Sequence, residues 1–155
     1  MAGSLEWLLL AYRMPREPST PRIAVWRKLT SLGVAKLGDG LVALPADARS
    51  QERLEWIADE VAEAGGEATL WQGRLMSAAA ERALAGRMAG AVAAEYRALI
   101  AAVEDARANT PVRAQAVARL RRELRRISQR DYFPPPEREG ARRAVESLVA
   151  EAAVR

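Results

Sequence analysis

Proline and glycine placement decides which elements this chain can form. Pro15, Pro18 and Pro21 interrupt "MPREPSTP". Proline lacks an amide hydrogen and its ring clashes with the preceding turn, so no helix runs through that stretch. Gly33, the "GDG" at 38–40, Pro45 and the Gly65-Gly66 pair then cut the chain into short pieces. Beyond Ser77 the proline breaks are confined to Pro111 and the run Pro134–Pro136. The first half can therefore alternate short strands with short helices, whereas the second half can hold long helices.

Leu5 to Tyr12 reads as the first strand, a short apolar run before a breaker. Thr20 is placed to cap a helix whose first residue is Pro21, a favoured position for proline. Val25, Leu29 and Leu32 follow at helical spacing with Trp26 beside them, and Gly33 ends the helix. Two short apolar segments around "GDG" predict a hairpin closed by Pro45. Ser50 or Asp47 caps a second helix with Leu54, Ile57, Ala58 and Val61 inward, and "EATLWQGRL" reads as the last strand. The order β-α-β-β-α-β over residues 5–76 is that of the ferredoxin-like unit, with both helices on one sheet face. Alternation puts Trp7, Leu9 and Ala11 on one face of the first strand and Leu8, Leu10 and Tyr12 on the other. Both sets are mostly apolar, so the face away from the helices is expected to meet the later helices or a second copy of the chain.

The remainder reads as helix. Leu84, Met88, Val92, Leu99 and Val103 mark a long one from Ser77 to Ala108. "ANTP" breaks it, with Thr110 as the expected cap and Pro111 at the first helical position. Val117, Leu120, Leu124 and Ile127, spaced 3, 4 and 3, mark the next helix, which stops at "DYFPPP". Glu137 to Ala153 predicts a short last helix. The expected fold class is α+β: a ferredoxin-like domain over 1–76, then an antiparallel helical hairpin and a short C-terminal helix over 77–155.

"WLLLAYRMP" (7–15), "RIAVWRKLTSLGVAKLGDGLVALP" (22–45), "AGGEATLWQ" (64–72) and "RDYFP" (130–134) together resemble the N-terminal domain of the ChrB family of chromate-resistance regulatory proteins. The first half also resembles the ferredoxin-like domain of PaaX-type repressors and of the small CRISPR-associated nucleases. The ChrB resemblance implies a bacterial regulator acting near genes for chromate efflux, and supplies no mapped active site. Family members usually carry a further C-terminal domain, and any sensing located there is expected to be missing from these residues. The nuclease relatives hold a metal through an Asp near the end of the first strand. Here Ala11, Tyr12, Arg13 and Met14 stand in that region, without the hard oxygen ligands that Mg²⁺ requires.

With no Cys and no His, the sequence excludes disulfides, thiolate metal sites and His-based catalytic dyads. A non-enzymatic protein without metal or cofactor is expected. The apolar opening "LEWLLLAY" is too short to span a bilayer and holds Glu6, so a cytoplasmic protein without membrane attachment is expected. Charge is uneven: residues 1–76 sum to −1 and residues 77–155 to +5. Seven arginines against the single Glu123 fall between Arg113 and Arg130. Arg119, Arg122, Arg126 and Arg130 are placed along exposed turns and can track a phosphate backbone of double-stranded DNA. Equally, they can form a solvated face paired with Glu95, Glu104 and Asp105, which would leave the hairpin as a protein-interaction module. Tyr132 and Phe133 are expected to anchor the corner before the prolines, with Asp131 paired to an arginine. Trp26 and Trp56 are expected to pack in the core or at the sheet edge rather than line a ligand pocket. Arg13, Arg16 and Arg22, around the start of the first helix, form an oxyanion-site candidate.

Overall fold

The computed structural model describes residues 1–109 and 111–154. It forms two compact units, Met1–Ala85 and Gly86–Arg155. In the first, β1 (Trp7–Arg13), α1 (Ser19–Leu32), β2 (Ala35–Gly38), β3 (Leu41–Pro45), α2 (Ala48–Glu63) and β4 (Glu67–Gly73) follow the order read from the sequence. The sheet runs β2-β3-β1-β4 with every pairing antiparallel. β1 is thus an inner strand, bonded on both edges. Its register sets Leu8 opposite Leu44 and Leu10 opposite Val42. These four are buried with Val25 and Leu29 of α1 and Leu54 and Val61 of α2. Each such side chain contributes about 1.5–3 kcal/mol by leaving water. Leu8 and Leu10 therefore lie on the helix-covered face.

The hairpin turns as its glycines require. Gly40 has φ of 72°, and a Cβ there would collide with the Tyr12 carbonyl, while the Tyr12 N–H donates to the Gly40 carbonyl at 2.8 Å. Gly33 ends α1 in the left-handed region, donating to the Leu29 and Thr30 carbonyls. Asp47 caps α2, accepting from the Ser50 N–H at 2.7 Å.

Several local expectations are corrected. α1 starts at Ser19 with Pro18 at its cap position and no side-chain cap, so Thr20 lies inside the helix. Pro21 is tolerated there because first-turn N–H groups have no helical acceptor. Trp26 is 41% and Trp56 64% exposed, so neither is a core residue. The buried tryptophan is Trp7, at one end of the sheet's other face. Towards the other end of that face Leu9 and Ala11 are half-buried, and Trp71, opposite Leu9, is exposed.

What holds Trp7 is a carboxylate 74 positions away. α3 (Ala78–Ala108) begins in this unit, and Glu81 in its first turn is only 8% exposed. Its oxygens accept from the Ser4 N–H (3.0 Å), the Leu5 N–H (2.9 Å) and the Trp7 indole Nε1–H (3.2 Å). Gly3 passes so close that an added Cβ would lie 2.7 Å from a Glu81 oxygen. Burial pushes the Glu81 carboxyl up, but the hydrogen bonds from Leu5, Trp7 and Ser4 outweigh it and hold it below the usual value.

The second unit is a three-helix core. Val92, Tyr96, Leu99 and Val103 of α3 pack with Val117, Leu120 and Ile127 of α4 (Ala114–Gln129) and Ala141, Val145 and Leu148 of α5 (Glu137–Ala153). α3 and α4 run antiparallel: Glu95 and Tyr96 meet Arg130 and Asp131 at the end away from their connection. The expected cap Thr110 lies outside the described residues. Pro111 does not begin α4, which starts at Ala114 after Arg113. α5 spans Glu137–Ala153 as read from the sequence and brings Ala141, Val145 and Leu148 into this core.

Because the Glu81 pKa is depressed, its stabilisation is complete above the unfolded value near 4.5 and is lost as pH falls through the lower folded value. Glu81→Gln should therefore lower the melting temperature at neutral pH, and its gap to the unsubstituted protein should close on acidification below about pH 4.5. Thermal melts by circular dichroism across pH 7 to 3 check this.

Candidate nucleic-acid interface

α4 buries one stripe and leaves the rest of its circumference to arginine. Val117, Leu120 and Ile127 are buried and Leu124 half-buried. At 100° per residue, Arg121, Arg125, Arg122, Arg126 and Arg119 fan across the opposite side, and all five are exposed. Arg126 reaches Glu123 at 3.7 Å. Arg119, Arg121, Arg122 and Arg125 form no ion pair among the described residues. The sequence reading selected a single 3-4-4 row and missed Arg121 and Arg125. A helical wheel over 113–130 would have placed them one step around the same exposed side.

Arg130 does not belong to this face. Its side chain is 18% exposed, donates from Nε to Glu95 at 2.9 Å and approaches Glu123 at 3.9 Å. For this residue the structural pairing with Glu95 is what is found. Glu104 is held by Arg107 instead, which also binds Glu151.

A shallow groove of about 310 Å³ separates α4 from α5. Leu124, Val145 and Val149 are its apolar lining, and Arg121, Arg125, Arg142 and Glu146 its charged lining. Arg142 is neutralised by Glu139 and Glu146. Arg143 is exposed, with no ion pair among the described residues.

Tyr132 and Phe133 are only half-buried, whereas Pro135 is buried. The deep contact is Tyr96, 0% exposed, whose hydroxyl donates to Asp131 Oδ2 at 2.8 Å. The Asp131 side chain is likewise 0% exposed, and Arg138 approaches the same oxygen at 3.8 Å. Burial pushes the Tyr96 hydroxyl's pKa up, and the Asp131 carboxylate adds to the rise. Asp131 thus has its arginine neighbour, but a tyrosine on α3 supplies the hydrogen bond. The sequence offered no signal for that pairing, 35 positions apart.

In the first unit the oxyanion trio is not assembled. Arg13 lies at the end of β1 opposite Glu67, pairing with it at 3.7 Å, and strand alternation directs it away from the Tyr12 face. Arg16 is exposed in the connection to α1. Arg22 instead lines a separate cleft with Tyr12, Trp26, Lys36 and Asp39. Burial raises the Tyr12 hydroxyl's pKa. Among the described residues no group of three acidic, His or Cys side chains is placed to hold a metal ion.

Tyr96→Phe should cost about 1–3 kcal/mol, the usual penalty for leaving a buried polar group without its partner. Phe133→Ala should cost less than the roughly 3–5 kcal/mol of a fully buried aromatic. Urea unfolding of both variants checks the order.

Residues 22–111 match the family model described as Protein ChrB, N-terminal, which is more than half of the chain. The matched span begins within α1, includes the hairpin, α2, β4 and α3, and stops short of α4. No curated protein matches the chain.

Proposed function

The chain belongs to the ChrB N-terminal family, and from that premise we propose that it is a non-enzymatic, cytoplasmic regulatory protein of chromate resistance that holds double-stranded DNA through the exposed side of α4. The observation that carries the reading is the five-arginine side, Arg119, Arg121, Arg122, Arg125 and Arg126, with Glu123 on Arg126 as the one ion pair they form among the described residues. Like charges at this density repel, and a row of phosphates relieves that repulsion while releasing condensed counterions. Arginine suits the task because its planar fork pairs with phosphate oxygens in two-point contacts. Such contacts position a protein on a duplex and carry little base information. The non-enzymatic reading rests on a sequence without His or Cys and on the stretch Ala11, Tyr12, Arg13 and Met14, without a carboxylate, in the region where the nucleases it resembles hold a metal. No described helix is long and apolar enough to cross a membrane. The antiparallel order β2-β3-β1-β4, with β3 between β2 and β1, supports assignment of the first unit to the ferredoxin-like class.

The groove between α4 and α5 favours a second reading, a docking site for a protein segment. Its apolar lining of Leu124, Val145 and Val149 has no use in phosphate binding.

The two readings separate by salt dependence. Replacing Arg122 and Arg125 together by Gln should weaken binding to duplexes of unrelated sequence by a similar factor. It should also reduce the slope of log K against log salt by about two. The melting temperature should hold, since neither arginine has an ion pair to lose. Fluorescence anisotropy at several salt concentrations measures the slope. An unchanged slope and affinity would end the DNA reading for this helix.

A further inference from the structure

The cleft in the first unit is built from residues that the α4 reading leaves unused. It has a volume of about 480 Å³, within the range of small-ligand sites. Its walls come from three elements: Tyr12 at the end of β1, Arg22, Ile23 and Trp26 on α1, and Lys36 and Asp39 in the hairpin. Its lining mixes two cations, Arg22 and Lys36, with the apolar Ile23 and Trp26. Trp26 is 41% and Ile23 51% exposed, unusual for two large apolar side chains one helical turn apart. The Lys36 ammonium sits 5.5 Å from the Trp26 ring centroid and 3.5 Å from Asp39. Arg22 forms no ion pair among the described residues, and the half-buried Tyr12 contributes a hydroxyl donor.

These parts are the two halves of a recognition site for a planar anion. A tryptophan face beside an aliphatic residue offers a stacking platform, which accepts any base because every base has a π-face. Arg22, Lys36 and Tyr12 line the same cleft and offer two cations and a hydroxyl as donors to one phosphate group. Arg22 and Lys36 against Asp39 leave the lining with one net positive charge, which favours an anion, and a phosphate at Lys36 competes there with the exposed Asp39.

We infer that the cleft between Tyr12, α1 and the hairpin binds a single nucleotide unit, its base stacked on Trp26 and its phosphate between Arg22 and Lys36. The unit can be a free nucleoside monophosphate or one residue of a single strand. The open rim at Trp26 and Ile23 admits either. This site is independent of the arginine side of α4.

The test titrates the full chain with adenosine 5′-monophosphate, with a single-stranded oligodeoxyadenosine of about ten residues and with inorganic phosphate, following the tryptophan indole resonances by NMR. Trp26→Leu identifies the Trp26 signal. The expected result is a saturable shift of that signal with the nucleotide or the strand, and weaker binding of phosphate alone. A preference for the strand names single-stranded nucleic acid as the source, and a preference for the monophosphate names the free nucleotide. Arg22→Gln and Trp26→Leu should each reduce affinity by about tenfold, the scale of one stacked base or one charge-assisted contact. Arg122→Gln/Arg125→Gln should bind the monophosphate as the unsubstituted protein does. The inference fails if neither nucleotide nor strand moves the Trp26 signal. It also fails if phosphate alone binds as tightly as the monophosphate, or if affinity survives Arg22→Gln. Loss of monophosphate binding in the α4 variant would overturn it as well, since the ligand would then sit on α4. If Trp26→Leu does not fold, Arg22→Gln, an exposed change without a lost ion pair, decides alone.

Discussion

A single buried carboxylate ties the beginning of the chain to the beginning of its longest helix. Glu81 gathers the N–H groups of Ser4 and Leu5 and the indole of Trp7, and each would otherwise lose its water without compensation. The carboxylate gains as well, since an ionised group this far from solvent needs donors on its oxygens. Around this exchange the Ala78 N–H donates to the Met1 carbonyl and the Gly3 N–H to the Leu75 carbonyl. β1 enters the sheet from that clamp, and two of the three pairings, with β3 and with β4, are made by β1. Because side chains alternate along a strand, a slip of one residue would turn Leu8 and Leu10 away from α1 and α2 and bring Leu9 and Ala11 in.

The two units handle charge in opposite ways. In the first, the cations in reach of a partner are spread out: Lys28 on Glu60, Lys36 on Asp39, Arg74 on Glu6. In the second, acids are gathered on α3 and α5, where they satisfy Arg107, Arg130 and Arg142. That leaves the outer side of α4 with arginines and almost no counter-charge. Exposed pairs are worth at most about 1 kcal/mol each, so stability does not explain the imbalance. Under the function proposed above the exposed cationic side serves a polyanion, whereas the buried Tyr96–Asp131 contact holds the helix corner.

Much of the first unit was legible because local rules coincide there. Gly33, the "GDG" turn and Asp47 each occupy the position that backbone geometry requires, and the apolar periods of α1 and α2 mark the sides that are buried. The errors fall where competing local signals exist. Thr20-Pro21 looks like a cap and first residue, yet the helix starts earlier, because a proline within the first turn costs no hydrogen bond. Trp26 and Trp56 look like core residues by type, but their positions on the helices leave them at the surface. Arg130 belongs to the arginine row by spacing, and only the presence of Glu95 on the neighbouring helix removes it.

The sequence by itself determined the order of the elements, the buried stripes of the helices and the concentration of arginine in α4. These follow from breakers, periodicity and composition, all of which act within a few residues. Tertiary structure alone decided that Glu81 meets Trp7, that Tyr96 meets Asp131, and that Arg22 joins Tyr12 and Lys36 while Arg13 turns away. Such pairings join positions far apart in the chain, and they depend on which face of a strand and which turn of a helix the folded chain brings together. No local pattern encodes that choice, because it is made by burying the whole set of apolar faces at once.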